Sequence, residues 1–258
     1  MRLYIIGNGF DLAHGFKTTY FDFAEYLKKE SIDFFEYLNM IYNEDELWSN
    51  FEEALGKLNI EKVNYIENNI VIKDFNSLFL PKEIKENLGK WLNSIDYNAT
   101  KKFKIEKNGI YLSFNYTDTL NEVYNIDLEN IEYIHCFSAC SLFGAADELI
   151  IGHNNSDFNQ SSLLKNTYKN TKENIKKHKE WFNKLNKIDI SEIIIIGFSY
   201  SSIDFEYFKK ISELLPNANW KFTYYNDNDK NNAKIYIEKM NLNEDKYEIL
   251  ESKYYYIN

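Results

Sequence analysis

Only two prolines and nine glycines occur in 258 residues, and no Pro/Gly/Ser-rich stretch divides the chain into linked parts. Cysteine is as scarce. Cys136 and Cys140 are the only two, too few for a disulfide framework, and they read as small core thiols in a reducing compartment. With no second cysteine pair, a structural zinc site is not expected. No apolar run approaches the roughly 20 residues needed to span a bilayer. The opening Met1-Arg2-Leu3-Tyr4-Ile5-Ile6-Gly7 has no signal-peptide layout, so a soluble, cytoplasmic chain without membrane association is expected. A dense basic block is also missing. The net charge of −10, from 30 Lys and Arg against 40 Asp and Glu, disfavours broad nucleic-acid binding.

What is abundant is core material. Hydrophobic residues make up 44% of the chain, with 21 Tyr and 19 Phe among them. Leu3 to Ile6 is a short apolar run ending at Gly7-Asn8-Gly9, a buried strand followed by a tight turn. From Tyr20 to about Gly89 the period becomes helical, with Phe23, Tyr26 and Leu27 on one face. Trp48, Phe51, Leu55 and Leu58 form another such face, and Pro81 suits a helix first turn. Strand-like segments return at 109–114, 131–134 and 149–151. The polar stretch from Asn154 to about Asn174 reads as a loop or lid, and Ile175 to Leu185 as helix. Ile193 to Ile196, apolar at every position, suits a parallel strand covered on both faces. Helix 203–215, strand 220–225, helix 230–240 and a last strand near Tyr254 complete the order. That order predicts a doubly wound, Rossmann-like, mostly parallel α/β sheet in a single domain, with a helical insertion over about 20–105 after the first strand.

In such a sheet ligands bind at the carboxyl ends of the strands, and four ends carry unusual polar sets. Gly7-Asn8-Gly9-Phe10-Asp11 can bring backbone amides close to a phosphate or ribose, although position 12 is Leu and the full dinucleotide fingerprint is absent. Ser113-Phe114-Asn115-Tyr116-Thr117-Asp118 ends a strand in Asn, with Asp118 placed to cap the next helix and Asn115 to satisfy loop backbone. His135 follows an apolar strand, usually the place of a structural histidine. Beside an Asn from a neighbouring strand end it becomes a candidate general base, a role for which His153 competes. Gly197-Phe198-Ser199 can offer amides and a hydroxyl to a diphosphate, while Asp204 is expected to cap the helix that follows. Asn226 stands where an adenosine ribose is often held. There is no Walker A motif and no serine-hydrolase elbow, since Ser201 stands where that elbow needs Gly.

Taken together, Asn8-Gly9-Phe10-Asp11-Leu12-Ala13-His14-Gly15-Phe16-Lys17-Thr18, Tyr20-Phe21-Asp22-Phe23 and Trp48-Ser49-Asn50-Phe51-Glu52-Glu53 resemble the AbiH family of phage abortive-infection proteins. Phe114-Asn115-Tyr116-Thr117, Ile134-His135, Ile151-Gly152-His153 and Gly197-Phe198-Ser199 with Asp204 follow in the family's order. A more distant resemblance is to sirtuin-like domains that bind or destroy NAD. It implies that Gly7, Asn8, Gly9, Phe10 and Asp11 form the first ligand loop, and that Asn115 and His135 are the catalytic pair. It further implies that Gly197 and Ser199 meet phosphate or ribose and that Asn226 holds the adenosine ribose; Asp204, beside them, is counted among the candidate cofactor-binding residues. Two departures stand out: Cys136 follows the histidine where that group has glycine, and its four-cysteine zinc module is absent. Protein deacylation is therefore not expected.

The resemblance implies a defence protein with a dinucleotide, NAD, as substrate or ligand, no metal, and a homo-oligomer or a phage-derived trigger as its further partner. Hydrolysis of the nicotinamide–ribose bond would need no general acid, because the leaving group departs neutral. The alternative is a nucleotide sensor that signals to a partner without chemistry, with the 154–174 loop as its moving part. Nucleic-acid cleavage ranks last, for want of a carboxylate cluster and a basic face.

Overall fold

In a computed structural model, the described residues are 1–69, 79–136, 149–153 and 168–257. They divide into two compact units. One takes its residues from Met1–Lys17, Asp96–Phe137 and Thr171–Asn258, the other from Thr18–Ile95 and Ser138–Asn170.

The first unit is built on a six-stranded sheet. The strands are β1 (Arg2–Ile6), β2 (Ile110–Ser113), β3 (Ile131–Tyr133), β4 (Glu192–Ile196), β5 (Asn219–Tyr224) and β6 (Tyr247–Glu251). They lie in the order β3-β2-β1-β4-β5-β6, and every pairing is parallel. The expected doubly wound α/β architecture is thus observed, with its strand order reversing at the β1–β4 junction. Leu3 pairs with Ile110 on one side and Ile193 on the other, and Ile5 with Leu112 and Ile195. Since side chains alternate along a strand, these residues share one face, where Trp220 and Phe222 join them in the core. Tyr4 and Tyr111 lie on the opposite face, stacked with ring centroids 5.0 Å apart. Burial of both faces explains why β4 tolerates no polar residue between Ile193 and Ile196.

The helices of this unit are α1 (Gly9–Ala13), α8 (Thr119–Glu122), α9 (Thr171–Lys177), α10 (Lys179–Leu185), α11 (Phe205–Leu214) and α12 (Asp227–Met240). The predicted helix Ile175–Leu185 is two helices, broken at His178, whose Nδ1 lies 2.5 Å from Glu132 Oε1. The polar 154–174 stretch falls partly outside the described residues, and its end already belongs to α9. The last strand precedes Tyr254, which lies in a 3-10 turn, Ser252–Tyr255.

The second unit holds α2 (Tyr20–Glu30), α3 (Ile32–Ile41), α4 (Glu44–Ser49), α5 (Phe51–Leu55), α6 (Ile60–Asn69) and α7 (Leu80–Asn93). Thr19 and Asp22 form a reciprocal capping box at the start of α2, and Pro81 stands in the first turn of α7 as expected. The single face predicted from Trp48 to Leu58 is divided by Asn50, whose φ of −148° and ψ of 70° end one helix and start the next. Both parts still face one aromatic core: Trp48 stacks on Phe35 at 5.6 Å and on Phe51 at 5.7 Å. The 149–151 segment is no strand; Leu149 and Ile151 are buried without pairing into a sheet. A short apolar run signals burial before it signals strand, which is why its pattern misled.

No helix among the described residues is long and apolar enough to cross a membrane.

Candidate functional site

The glycines of the first and fourth strand ends pack against one another. A Cβ on Gly7 would lie 2.6 Å from Gly197 O, one on Gly9 2.8 Å from Gly197 Cα, and one on Gly197 2.1 Å from Phe10 N. Gly197 also has a φ of +68°, a backbone state that side chains resist. Gly9 N donates to Gly197 O at 2.7 Å, Gly7 N to Ile196 O at 3.0 Å and Phe10 N to Gly7 O at 2.9 Å. Those three amides are therefore engaged within the chain, and close backbone packing alone accounts for the three glycines. The helix opened by this loop, α1, is only five residues long. Phe10 points into the protein, stacking on Phe103 at 4.8 Å.

Asp11 is fully buried. Its carboxylate accepts Thr117 Oγ1 at 2.5 Å and Thr119 Oγ1 at 2.7 Å. Burial pushes its pKa up to about 6 against the lowering effect of these hydroxyls. Asp11 thus clasps the first loop to the segment after β2. In the same loop, His14 Nδ1 lies 2.7 Å from Phe10 O and Nε2 2.9 Å from Tyr124 OH. That hydroxyl already accepts from Lys102 N and Phe103 N, so it gives its proton to Nε2 and fixes the Nδ1–H tautomer. Burial holds the His14 pKa below the ordinary imidazole value.

Asn115 is buried at the end of β2. Its Nδ2 donates to Gly7 O at 3.1 Å, as expected of a residue satisfying loop backbone. Its Oδ1 is buried with no hydrogen-bond partner among the described residues. Asp118 stands at the N-cap of α8, yet its side chain makes no capping hydrogen bond.

His135 is buried at the end of β3, 3.2 Å from Phe114 O through Nδ1 and 3.7 Å from Asp204 Oδ1 through Nε2. The rings of Phe114, Tyr116 and Tyr207 surround it at 5.5, 5.8 and 6.4 Å. Asp204 was expected to cap the following helix. It occupies that position before α11, but its side chain makes no capping bond. Ahead of it, Ser201 caps the 3-10 turn Ser202–Asp204 instead, accepting from Ile203 N.

The remaining predicted residues are placed otherwise. Ser199 is exposed, and its carbonyl accepts Asn232 Nδ2 at 3.2 Å. Asn226 is the N-cap of α12, its Oδ1 accepting Asp229 N at 2.9 Å. His153 belongs to the second unit, where a Cβ on Gly56 would lie 2.8 Å from its ring. His135, with Asp204, belongs to the first unit. Cys136 is disulfide-bonded, which corrects its reading as a core thiol; Cys140 lies outside the described residues. Cys136 also has a φ of +64°, the backbone state that a glycine after the histidine would favour. Among the described residues, no group of three or more His, Cys, Asp or Glu is placed to hold a metal ion.

Sequence reasoning missed Thr117, Thr119 and Asn174. Asn174 Nδ2 lies 2.8 Å from Ile134 O and 2.6 Å from Tyr207 OH, bracing the segment that carries His135. Thr117 and Thr119 had one available signal, a two-residue spacing after a strand whose neighbour, β1, leads into the short helix that carries Asp11.

Comparison with known proteins agrees with the motifs. The family described as bacteriophage abortive infection AbiH matches residues 3–79 and 65–224. No curated protein and no solved structure was found to match. A match from β1 through β5, across both units, shows that the chain belongs to the AbiH family of bacteriophage abortive-infection proteins.

Proposed function

We propose that this abortive-infection protein acts by binding a dinucleotide, NAD, at the carboxyl ends of β1 to β4 and hydrolysing its nicotinamide–ribose bond. The observation that carries the reading is the buried, unpaired Oδ1 of Asn115 at one strand end, with the imidazole of His135 at the next. An unsatisfied buried acceptor costs about 1–3 kcal/mol, and a ribose hydroxyl is a donor that relieves that cost. The distant sirtuin-like resemblance assigns the catalytic pair to these same two residues.

On this reading Asn115 orients the ribose hydroxyls or the attacking water through Oδ1, while its Nδ2 stays on Gly7 O. His135, with Nδ1–H given to the Phe114 carbonyl, takes a proton at Nε2 from a ribose hydroxyl or from water. The pyridinium leaves as neutral nicotinamide, so the chain has only to stabilise positive charge developing on the ribose and to admit a water. The engaged amides of Gly7, Gly9 and Phe10 move diphosphate recognition away from those three donors.

The test is nicotinamide release by the purified protein, with His135→Ala and Asn115→Ala alongside. Release lost in both variants supports the reading, and turnover that survives both changes sinks it. Dinucleotide binding without turnover in the wild type would make the protein a sensor that signals to a partner.

A further inference from the structure

Asp204 has the position of a helix cap without the bonding of one. Its backbone precedes α11, yet its side chain makes no capping hydrogen bond, and Oδ1 lies 3.7 Å from His135 Nε2. Aspartate at an N-cap ordinarily spends its carboxylate on the free amides of the first turn, for about 1 kcal/mol. Here the carboxylate faces an imidazole in a nearly water-free setting, His135 being 2% exposed and Asp204 9%.

The geometry around the pair is fixed from both sides. Tyr236 OH donates to Ser201 O, Thr171 Oγ1 to Ile203 O at 3.3 Å, and Ile203 N to Ser201 Oγ at 3.4 Å. These bonds immobilise the turn that presents Asp204. His135 is held through Nδ1 by the Phe114 carbonyl, and Asn174 pins the preceding residue through Ile134 O. With Nδ1 engaged, Nε2 is the nitrogen that gains and loses the proton, and it is the one facing the carboxylate.

We propose that Asp204 is a positioning residue that stabilises the protonated form of His135 and so strengthens it as a proton acceptor. The inference deepens the reading of His135 as general base and rests on it for its catalytic meaning. The pairing itself stands on geometry alone. Among the described residues, the rings of Phe114, Tyr116 and Tyr207 also pack on the imidazole, and Tyr236 faces Asp204 from α12. An opposite charge within about 4–6 Å typically shifts a titration by 1–3 pH units, toward the charged form.

The experiment is a pH titration of the four histidines by NMR on the full-length chain, with His135 identified through His135→Gln. The expected result is a difference in the titration point of His135 between wild type and variant. In Asp204→Asn it should fall by about one pH unit or more, and Asp204→Glu should restore part of the difference. Equal titration in wild type and Asp204→Asn overturns the proposal. If Asp204→Asn does not fold, Asp204→Ser is the second variant, and a His135 titration there equal to that of wild type overturns the proposal. Nicotinamide release provides a separate readout, because the acid limb of its pH profile should shift with Asp204→Asn by the same amount. A wild type with no NAD turnover removes the hydrolase reading and leaves the titration result standing.

Discussion

The β1 and β4 ends and the β2 and β3 ends look alike in sequence, each pair offering a short polar motif after an apolar strand. They are opposite in structure. At β1 and β4 backbone amides and carbonyls bond one another, and Gly7, Gly9 and Gly197 let two loops touch. At β2 and β3 a buried amide oxygen has no partner among the described residues, and an imidazole faces a carboxylate that is not capping its helix. The lesson is that a glycine-rich turn marks close approach, and only the structure tells whether a ligand or another loop makes that approach.

The contrast breaks most severely at Gly197. Gly197→Ala adds a Cβ 2.1 Å from Phe10 N at a φ of +68°, and the expected result is loss of about 4 kcal/mol or more, seen as insoluble or unfolded protein. Gly15→Ala is the control. Its φ is +83° with nothing within 4 Å, so denaturant titration should show a cost of only about 1–2 kcal/mol.

On the other side, His135→Ala should reduce nicotinamide release about 10²–10⁴-fold, with the melting temperature little changed beyond the loss of core volume. Asn115→Ala should abolish release in the same assay. If both variants melt far below wild type instead, these strand ends serve the fold and not the ligand.

Asp11 sharpens the comparison through pH. Its folded-state pKa, about 6, lies above the ordinary 3.8, so protonation favours the folded state. That contribution is full below about 3.8 and is lost as pH rises through about 6. Asp11→Asn removes the dependence, so wild type should lose up to about 3 kcal/mol relative to the variant between pH 4 and pH 8. Urea titrations of both proteins at the two pH values measure it. A constant difference would show that the two threonine hydroxyls already keep Asp11 at its ordinary value.

The smallest effect is expected at Asn226. As the cap of α12 it should cost about 1 kcal/mol on replacement by Ala, with dinucleotide affinity unchanged. An affinity loss beyond the stability loss would return it to the ribose-binding role that its place after β5 suggested.

The sheet was legible because its strands carry a local signal. Leu3–Ile6 and Ile193–Ile196 are apolar at successive positions, which only a two-faced parallel strand accommodates easily. The helix break at Asn50 was not legible, because Trp48, Phe51, Leu55 and Leu58 keep a helical spacing across it. At the candidate site, the placing of Asn115 and His135 at strand ends was legible from the apolar runs before them. The Asp204–His135 contact was not, since it joins residues nearly seventy apart in sequence and its aspartate sits where a cap is the ordinary expectation. The clasp of Asp11 by Thr117 and Thr119 was hidden for the same reason. Local pattern announces burial and strand ends, but says little about which distant hydroxyl a carboxylate will meet.

The place of β1 in the sheet has a consequence for synthesis. Of the six strands it is made first, yet it lies between β2 and β4, and β4 ends at Ile196. At about 5–20 residues per second, on the order of 10–40 s pass on the ribosome before the β4 side of Leu3–Ile6 can be covered. During that interval an apolar strand edge is open to foreign strands. The nascent sheet is therefore most prone to mispairing at β1, and a pause in translation before Glu192 should lower soluble yield more than one after Ile196.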